Sequence, residues 1–125
     1  MSNPFVHVEL QTPNLPQAKE FYGSLFGWKL EDTPMQGGGS YTMINVGTGT
    51  GGGMLTSPDP KAPPLWLAYV GVDDVRAMTD KARKLGATIC VDVMEVGAYG
   101  WMSVFTDPTG ATLALWQPKN PQQQG

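Results

Sequence analysis

His7 and Glu9 are the residues of this chain best suited to do chemistry. They stand two apart in the β-branched and apolar run 5–12, which reads as a strand, so both side chains project from one face. A carboxylate beside an imidazole can act as a general acid and base pair and move a proton, which makes His7 and Glu9 the candidate catalytic residues. The pair could also hold a divalent cation with help from Tyr69, but a catalytic zinc site keeps at least three protein ligands and one imidazole falls short of that. The reading without chemistry is an inward polar pair, hydrogen-bonded through water or to a ligand, which offsets part of the cost of burying both groups.

Composition removes several other classes of function. The single cysteine, Cys90, has no partner for an internal disulfide, and no CxxC pair or His/Cys cluster is present, which points to a reducing, cytoplasmic setting. The opening MSNPFVHVEL is not a basic stretch followed by a long apolar one, and no segment approaches the roughly 18 apolar residues of a membrane span. The expectation is a soluble, unexported protein with no membrane partner. Eight Lys and Arg against eleven Asp and Glu give a formal charge of −3 without basic blocks. That argues against nucleic acid and anionic lipid and leaves a neutral or cationic small molecule as the partner.

The elements that must position His7 and Glu9 come in two copies. Displaced by sixty residues the chain matches itself without a gap: Leu10 meets Val70, Asn14 meets Asp74, Leu25 meets Leu85, Tyr41 meets Trp101, Leu55 meets Leu115. In the first copy, Asn14 with Gln17 three residues on reads as a helix cap, Leu15, Ala18, Tyr22 and Leu25 recur at helical spacing, and Gly27 is the stop. Strands are expected over 28–31, 40–46 and 53–56, with glycine turns at 37–39 and 47–53. The second copy predicts a strand over 65–72, a helix from Asp73 or Asp74 to Leu85, and strands over 88–93, 100–106 and 112–116, with the turn 107–110 before the last.

The fold class is therefore α+β, two tandem βαβββ modules forming one domain, with repeats over about 4–57 and 64–117, a Pro-rich linker 58–64 and a frayed tail 118–125. Each four-stranded sheet buries one face under its helix and curls the other around a central cavity. Strand alternation assigns Val8, Leu10, Ile44, Leu55, Met102, Val104, Leu113 and Leu115 to the helix side. It leaves His7, Glu9, Gln11, Tyr41, Met43, Asn45, Met54, Thr56, Leu67, Tyr69, Trp101, Ser103, Phe105, Ala114 and Trp116 facing the cavity. Large rigid surfaces with few polar handles suit a flat or apolar ligand.

Three segments carry a family resemblance: His7-Val8-Glu9-Leu10, the stretch Phe21-Tyr22-Gly23-Ser24-Leu25-Phe26-Gly27-Trp28, and Asp107-Pro108-Thr109-Gly110 followed by Leu115-Trp116-Gln117-Pro118. Together they resemble the vicinal oxygen chelate superfamily of glyoxalases, bleomycin-resistance proteins and extradiol dioxygenases. The resemblance implies paired cups, a divalent metal in the metal-using members, and homodimers at this chain length. It places ligands mid-way along the first and fourth strands of each module, which here read His7, Met54, Leu67 and Ala114. Only His7 keeps a metal donor, so no metal or other cofactor is expected and catalysis through a metal is disfavoured.

The expected function is capture of a small apolar, aromatic or cationic molecule. The ligand-binding set is His7, Glu9, Tyr41, Met43, Met54, Leu67, Tyr69, Trp101, Ser103, Ala114 and Trp116. Two alternatives remain: a metal-dependent lyase, isomerase or dioxygenase using His7 and Glu9, or a structural or regulatory homodimer that buries its aromatic face.

Overall fold

Asn14 turns the chain from strand to helix. Its side-chain oxygen accepts from the Gln17 amide at 3.2 Å, and its side-chain nitrogen donates to the Gln17 side chain at 3.0 Å. Gly27 then ends the helix in the left-handed region, φ 69°, where a Cβ is disfavoured, with its N–H on the Gly23 carbonyl at 2.9 Å. In the second copy the cap is Asp74, which accepts from the Ala77 amide at 3.1 Å. Gly86, φ 103°, follows the C-cap Leu85.

The structure, a computed structural model, describes residues 2–35 and 38–120. Its elements are β1 (Phe5–Thr12), α1 (Leu15–Phe26), β2 (Lys29–Pro34), β3 (Ser40–Asn45), β4 (Gly52–Thr56), β5 (Leu65–Gly71), α2 (Val75–Lys84), β6 (Thr88–Val96), β7 (Gly100–Thr106) and β8 (Thr112–Pro118). This is the expected α+β order of two βαβββ modules. No helix among the described residues is long and apolar enough to cross a membrane. By contacts the described residues divide into one unit within 7–67 and another made of 2–6 with 68–120. Residues 2–6 join the second unit because the Pro4 carbonyl accepts from the Gly71 amide at 2.8 Å and Asn3 donates to the Gly71 carbonyl at 3.0 Å.

In the first module the strand order is β2-β3-β4-β1, with β1 and β4 parallel. Register pairs Leu10 with Met54, Met54 with Thr42, and Ile44 with Gly52, so these residues share one face. Leu10, Ile44 and Met54 form the core there, packed by Leu15, Ala18 and Tyr22 of α1 and by Trp28, Leu30 and Val46. Each such burial is worth about 1.5–3 kcal/mol. The helix has a second apolar stripe that stays open: Phe21, Leu25 and Phe26 are each 56% exposed. Around them Tyr22, Trp28 and Trp66 form an aromatic cluster, with Tyr22 edge-on to Trp66 at 5.3 Å between ring centroids.

The second module repeats the order as β5-β8-β7-β6. Its core is Val72, Val75 and Leu115, with Val70, Met78, Val93, Trp101 and Phe105 packed against it. Ser103 lies fully buried under α2, bonded at 2.8 Å to the Thr79 hydroxyl, which in turn donates to the Val75 carbonyl at 2.6 Å.

These contacts correct the expected facing of several residues. Met54 lies under α1 with Thr56 on the same side of β4, and Trp101, Ser103 and Phe105 lie on the helix-covered face of their module, so none of the five looks into the cup. Leu55 and Met102 with Val104 take the opposite side to the one expected, since their register partners are Gln11 and Trp116 with Ala114. The cause is a drift in the internal offset. It is 60 from Leu10 to Val70, 59 from Gly27 to Gly86, and 61 from Met54 to Leu115, the core residues that pair with Leu10 and Val70. The strand β6 supplies the extra length, with two irregularities against β7, between Ile89 and Val91 and between Val91 and Met94. The β2–β3 pairing has none. A one-residue slip reverses every side chain beyond it.

The tail is also tied down further than expected. Pro118 closes β8 and is buried, the Lys119 amide donates to the Tyr99 carbonyl, and Lys119 pairs with Glu95 and sits 5.3 Å from the Trp101 ring centroid. Residues 121–125, and Gly37 of the expected 37–39 turn, lie outside the described residues.

Candidate functional site

Opposite α1, the uncovered face of the first module carries His7, Glu9 and Gln11 from β1, Gly53 from β4, Tyr41 and Met43 from β3, and Glu31 from β2. Register places Glu9 and Met43 on either side of Gly53, and Glu31 beyond Met43. The fourth strand therefore has no side chain at the centre of this face. The Tyr41 ring uses that gap to cross β4 and reach β1.

The result is a continuous polar line. The Tyr41 hydroxyl donates to Glu9 Oε1 at 3.0 Å, His7 Nε2 is 2.7 Å from the same hydroxyl, and Gln11 Nε2 donates to Glu9 Oε2 at 2.8 Å. A phenol has one proton, so giving it to Glu9 leaves its oxygen to accept from His7 and puts the imidazole proton on Nε2. The His7 and Tyr41 rings are stacked at 6.1 Å and 25°. Glu9, only 7% exposed, is a buried carboxylate held by two donors, the arrangement buried charge requires. The expected His7 and Glu9 pair is thus joined through Tyr41.

Burial lowers the His7 pKa below its ordinary value near 6.5, so the imidazole is neutral at pH 7. The unfolded chain binds a proton at about 6.5 and the folded chain does so only at lower pH. Stability contributed by the neutral ring is therefore complete above about pH 6.5 and is lost as pH falls toward the folded value. Urea unfolding between pH 7.5 and 5 should show this decline, and His7→Gln should flatten it.

Beyond Met43, which is 43% exposed, the same module opens into a recess of about 480 Å³. It wraps the β2–β3 end of the module, lined by Lys29, Glu31, Met43 and Asn45, by Leu30, Ile44 and Val46 of the opposite parity, and by the glycine loop through Gly47, Gly49 and Gly51. In the second module the uncovered face carries Tyr69, paired with Ala114, and Trp116, paired with Met102. Tyr69 is 5% exposed and Ala114 fully buried, while the Trp116 ring lies across Gly100, 2.9 Å from where a Cβ would be. Leu67, 4% exposed, belongs by contacts to the first unit. The structure thus groups His7, Glu9, Tyr41 and Met43 on one face and Tyr69, Ala114 and Trp116 on another, and withdraws Met54, Trp101 and Ser103 beneath the helices. Gly53 was missed for want of a side chain. Its signal was the run Gly51-Gly52-Gly53 entering a strand, a mark of close approach.

Tandem βαβββ modules, each with one sheet face covered by a helix and one left to line a cup, define the class of protein. A family model described as the Glyoxalase/Bleomycin resistance protein/Dioxygenase superfamily matches residues 5–115, and the chain belongs to that superfamily. The CFP32 protein of Mycobacterium tuberculosis, which carries a glyoxylase name, is 40% identical over 114 residues, 88% of this chain and 44% of its own length. The anthracycline biosynthesis protein DnrV of Streptomyces peucetius is 27% identical over 123 residues, 87% of this chain and 45% of its own length. The chain thus spans less than half the length of these relatives. Among solved structures, methylmalonyl-CoA epimerase from M. tuberculosis superposes with a TM-score of 0.71 at 19% identity, over 94% of this chain and 89% of its own. A hypothetical protein from Bacillus halodurans does so at 0.75 and 12%, over 96% and 97%. At those identities the likeness is one of fold.

The metal that the resemblance implies does not fit these residues. With the offset corrected to 61, the internal counterpart of Ala114 is Gly53 rather than Met54, and neither carries a donor. Leu67 carries none either. His7 Nε2 and both Glu9 oxygens are engaged within the polar line, and among the described residues no three His, Cys, Asp or Glu side chains gather to hold an ion.

Proposed function

We propose that the protein binds a small, flat, apolar or aromatic molecule without a metal, on the cup face of the first module. The carrying observation is the juxtaposition there of a hydrogen-bonded polar line, His7-Tyr41-Glu9-Gln11, with exposed Met43 and the recess beyond it. The phenol and imidazole edges orient a ligand, Met43 supplies adaptable apolar contact, and the glycine strand leaves room for a ring. The name of DnrV, an anthracycline biosynthesis protein, agrees with such a ligand.

The test is a titration with an anthraquinone and an aliphatic compound of similar size, followed through methyl resonances of methionine. The anthraquinone should shift Met43 and leave Met54, sealed under α1, unmoved. His7→Ala should weaken binding by about 1 kcal/mol, the worth of one hydrogen bond. No response of Met43 to any aromatic compound at millimolar concentration would refute the reading. The hydrogen-bonded line from imidazole through phenol to carboxylate favours one second reading, proton transfer to or from the bound molecule. Chemical change in the recovered ligand, abolished by His7→Ala, would establish it.

A further inference from the structure

The Tyr41 phenol occupies the position of a fourth-strand side chain. A Cβ built on Gly53 would lie 2.1 Å from the Tyr41 hydroxyl oxygen, 2.2 Å from Cε2 and 2.3 Å from Cζ. Real Cβ atoms do not approach so closely, so the ring stands there only because residue 53 is glycine. Gly53 is the register partner of Glu9, and Ala114 is the partner of Tyr69 in the other module. The place filled by the ring is therefore the one from which a fourth-strand donor would reach toward His7 and Glu9.

We propose that the Tyr41 hydroxyl takes the place of a metal ion on this face, one neutral oxygen joining the imidazole to the carboxylate, with Gly53 as the positioning residue that admits it. The proton inventory supports this. His7 Nε2 spends its valence on a proton directed at the phenol oxygen, Glu9 Oε1 takes the phenol proton, and Glu9 Oε2 takes a proton of Gln11. A metal ligand must offer a lone pair to the ion at about 2.0–2.2 Å; here His7 Nε2 carries a proton, each Glu9 oxygen already accepts one donor, and the phenol fills the space between imidazole and carboxylate where an ion would sit. Chelation by paired oxygens of a ligand therefore gains nothing at this site, which selects by shape and by hydrogen bonds to a fixed phenol and imidazole. The inference rests on the metal-free reading and adds to it a cause: the cation site is latent, closed by one side chain.

Cobalt(II) titration, read by visible absorption and by dialysis, tests it on the wild type, on Tyr41→Ala, and on Tyr41→Ala combined with Gly53→His. The wild type should retain no cobalt. Tyr41→Ala should bind it weakly, and the double variant should take up one equivalent at least ten-fold more tightly, losing it on further change of His7→Ala. Should the double variant fail to fold, Tyr41→Ala decides alone: cobalt uptake above wild type upholds the proposal. Uptake no greater than wild type in folded variants, with the wild type silent, overturns this proposal and leaves the metal-free reading standing. Stoichiometric uptake by the wild type that Tyr41→Ala abolishes would make the phenol a ligand and overturn both.

Discussion

Replacing Met54 by alanine lowers the unfolding free energy by about 2–5 kcal/mol, the cost of emptying a buried side-chain volume that the surroundings cannot refill. Met54 is fully buried among Leu10, Ile44, Leu15 and Tyr22, and a sheet paired on both sides of β4 has little freedom to collapse onto the gap. Met54→Glu should be worse: a carboxylate placed there meets hydrocarbon with no donor, and the chain should fail to fold at 25 °C. Chemical denaturation of the alanine variant and circular dichroism of the glutamate variant measure the two effects. A Met54→Glu protein with wild-type stability would return this side chain to the open face, where the sixty-residue repeat had placed it.

That repeat shows where the sequence was legible. Asn14, Gly27, Asp74 and Gly110 announce backbone geometry through their own chemistry, so caps, stops and the turn before β8 fall where they were expected. The Asp107 turn is an example: its carboxylate accepts from the Thr109 hydroxyl and from the Thr109 and Ala111 amides, and these bonds hold its pKa below the usual carboxylate range. Strand facing is different because it depends on parity. Every residue of β7 and the fourth-strand comparison hung on the offset, and the irregularities of β6 leave no mark in the run Thr88 to Val96 that a reader of residue types would notice. Trp101 and Ser103 were lost to the cup for that reason alone. His7 and Glu9 were legible because β1 precedes any slip. Their joining through Tyr41 was not, since a cross-strand contact over two ladders needs coordinates.

Gly52→Ala and Gly53→Ala, neighbours in one strand, should behave in opposite ways. A Cβ on Gly52 would stand 2.1 Å from the Val8 carbonyl oxygen, a backbone atom fixed by the β1–β4 ladder. Nothing there can rotate aside, so the strands must separate at the centre of the first module, at a cost of about 3 kcal/mol, the upper end of ordinary overpacking. A Cβ on Gly53 meets the end of a tyrosine side chain instead. The ring can swing out, and the fold should survive with a loss of about 1–3 kcal/mol, the cost of leaving buried Glu9 and His7 without the hydroxyl between them. Urea midpoints order the two variants, and the tyrosine ring resonances separate the mechanisms: Tyr41 should become solvent-exposed in Gly53→Ala and stay in place in Gly52→Ala. Equal midpoints, with Tyr41 undisturbed in both, would mean that the phenol does not lie across the fourth strand.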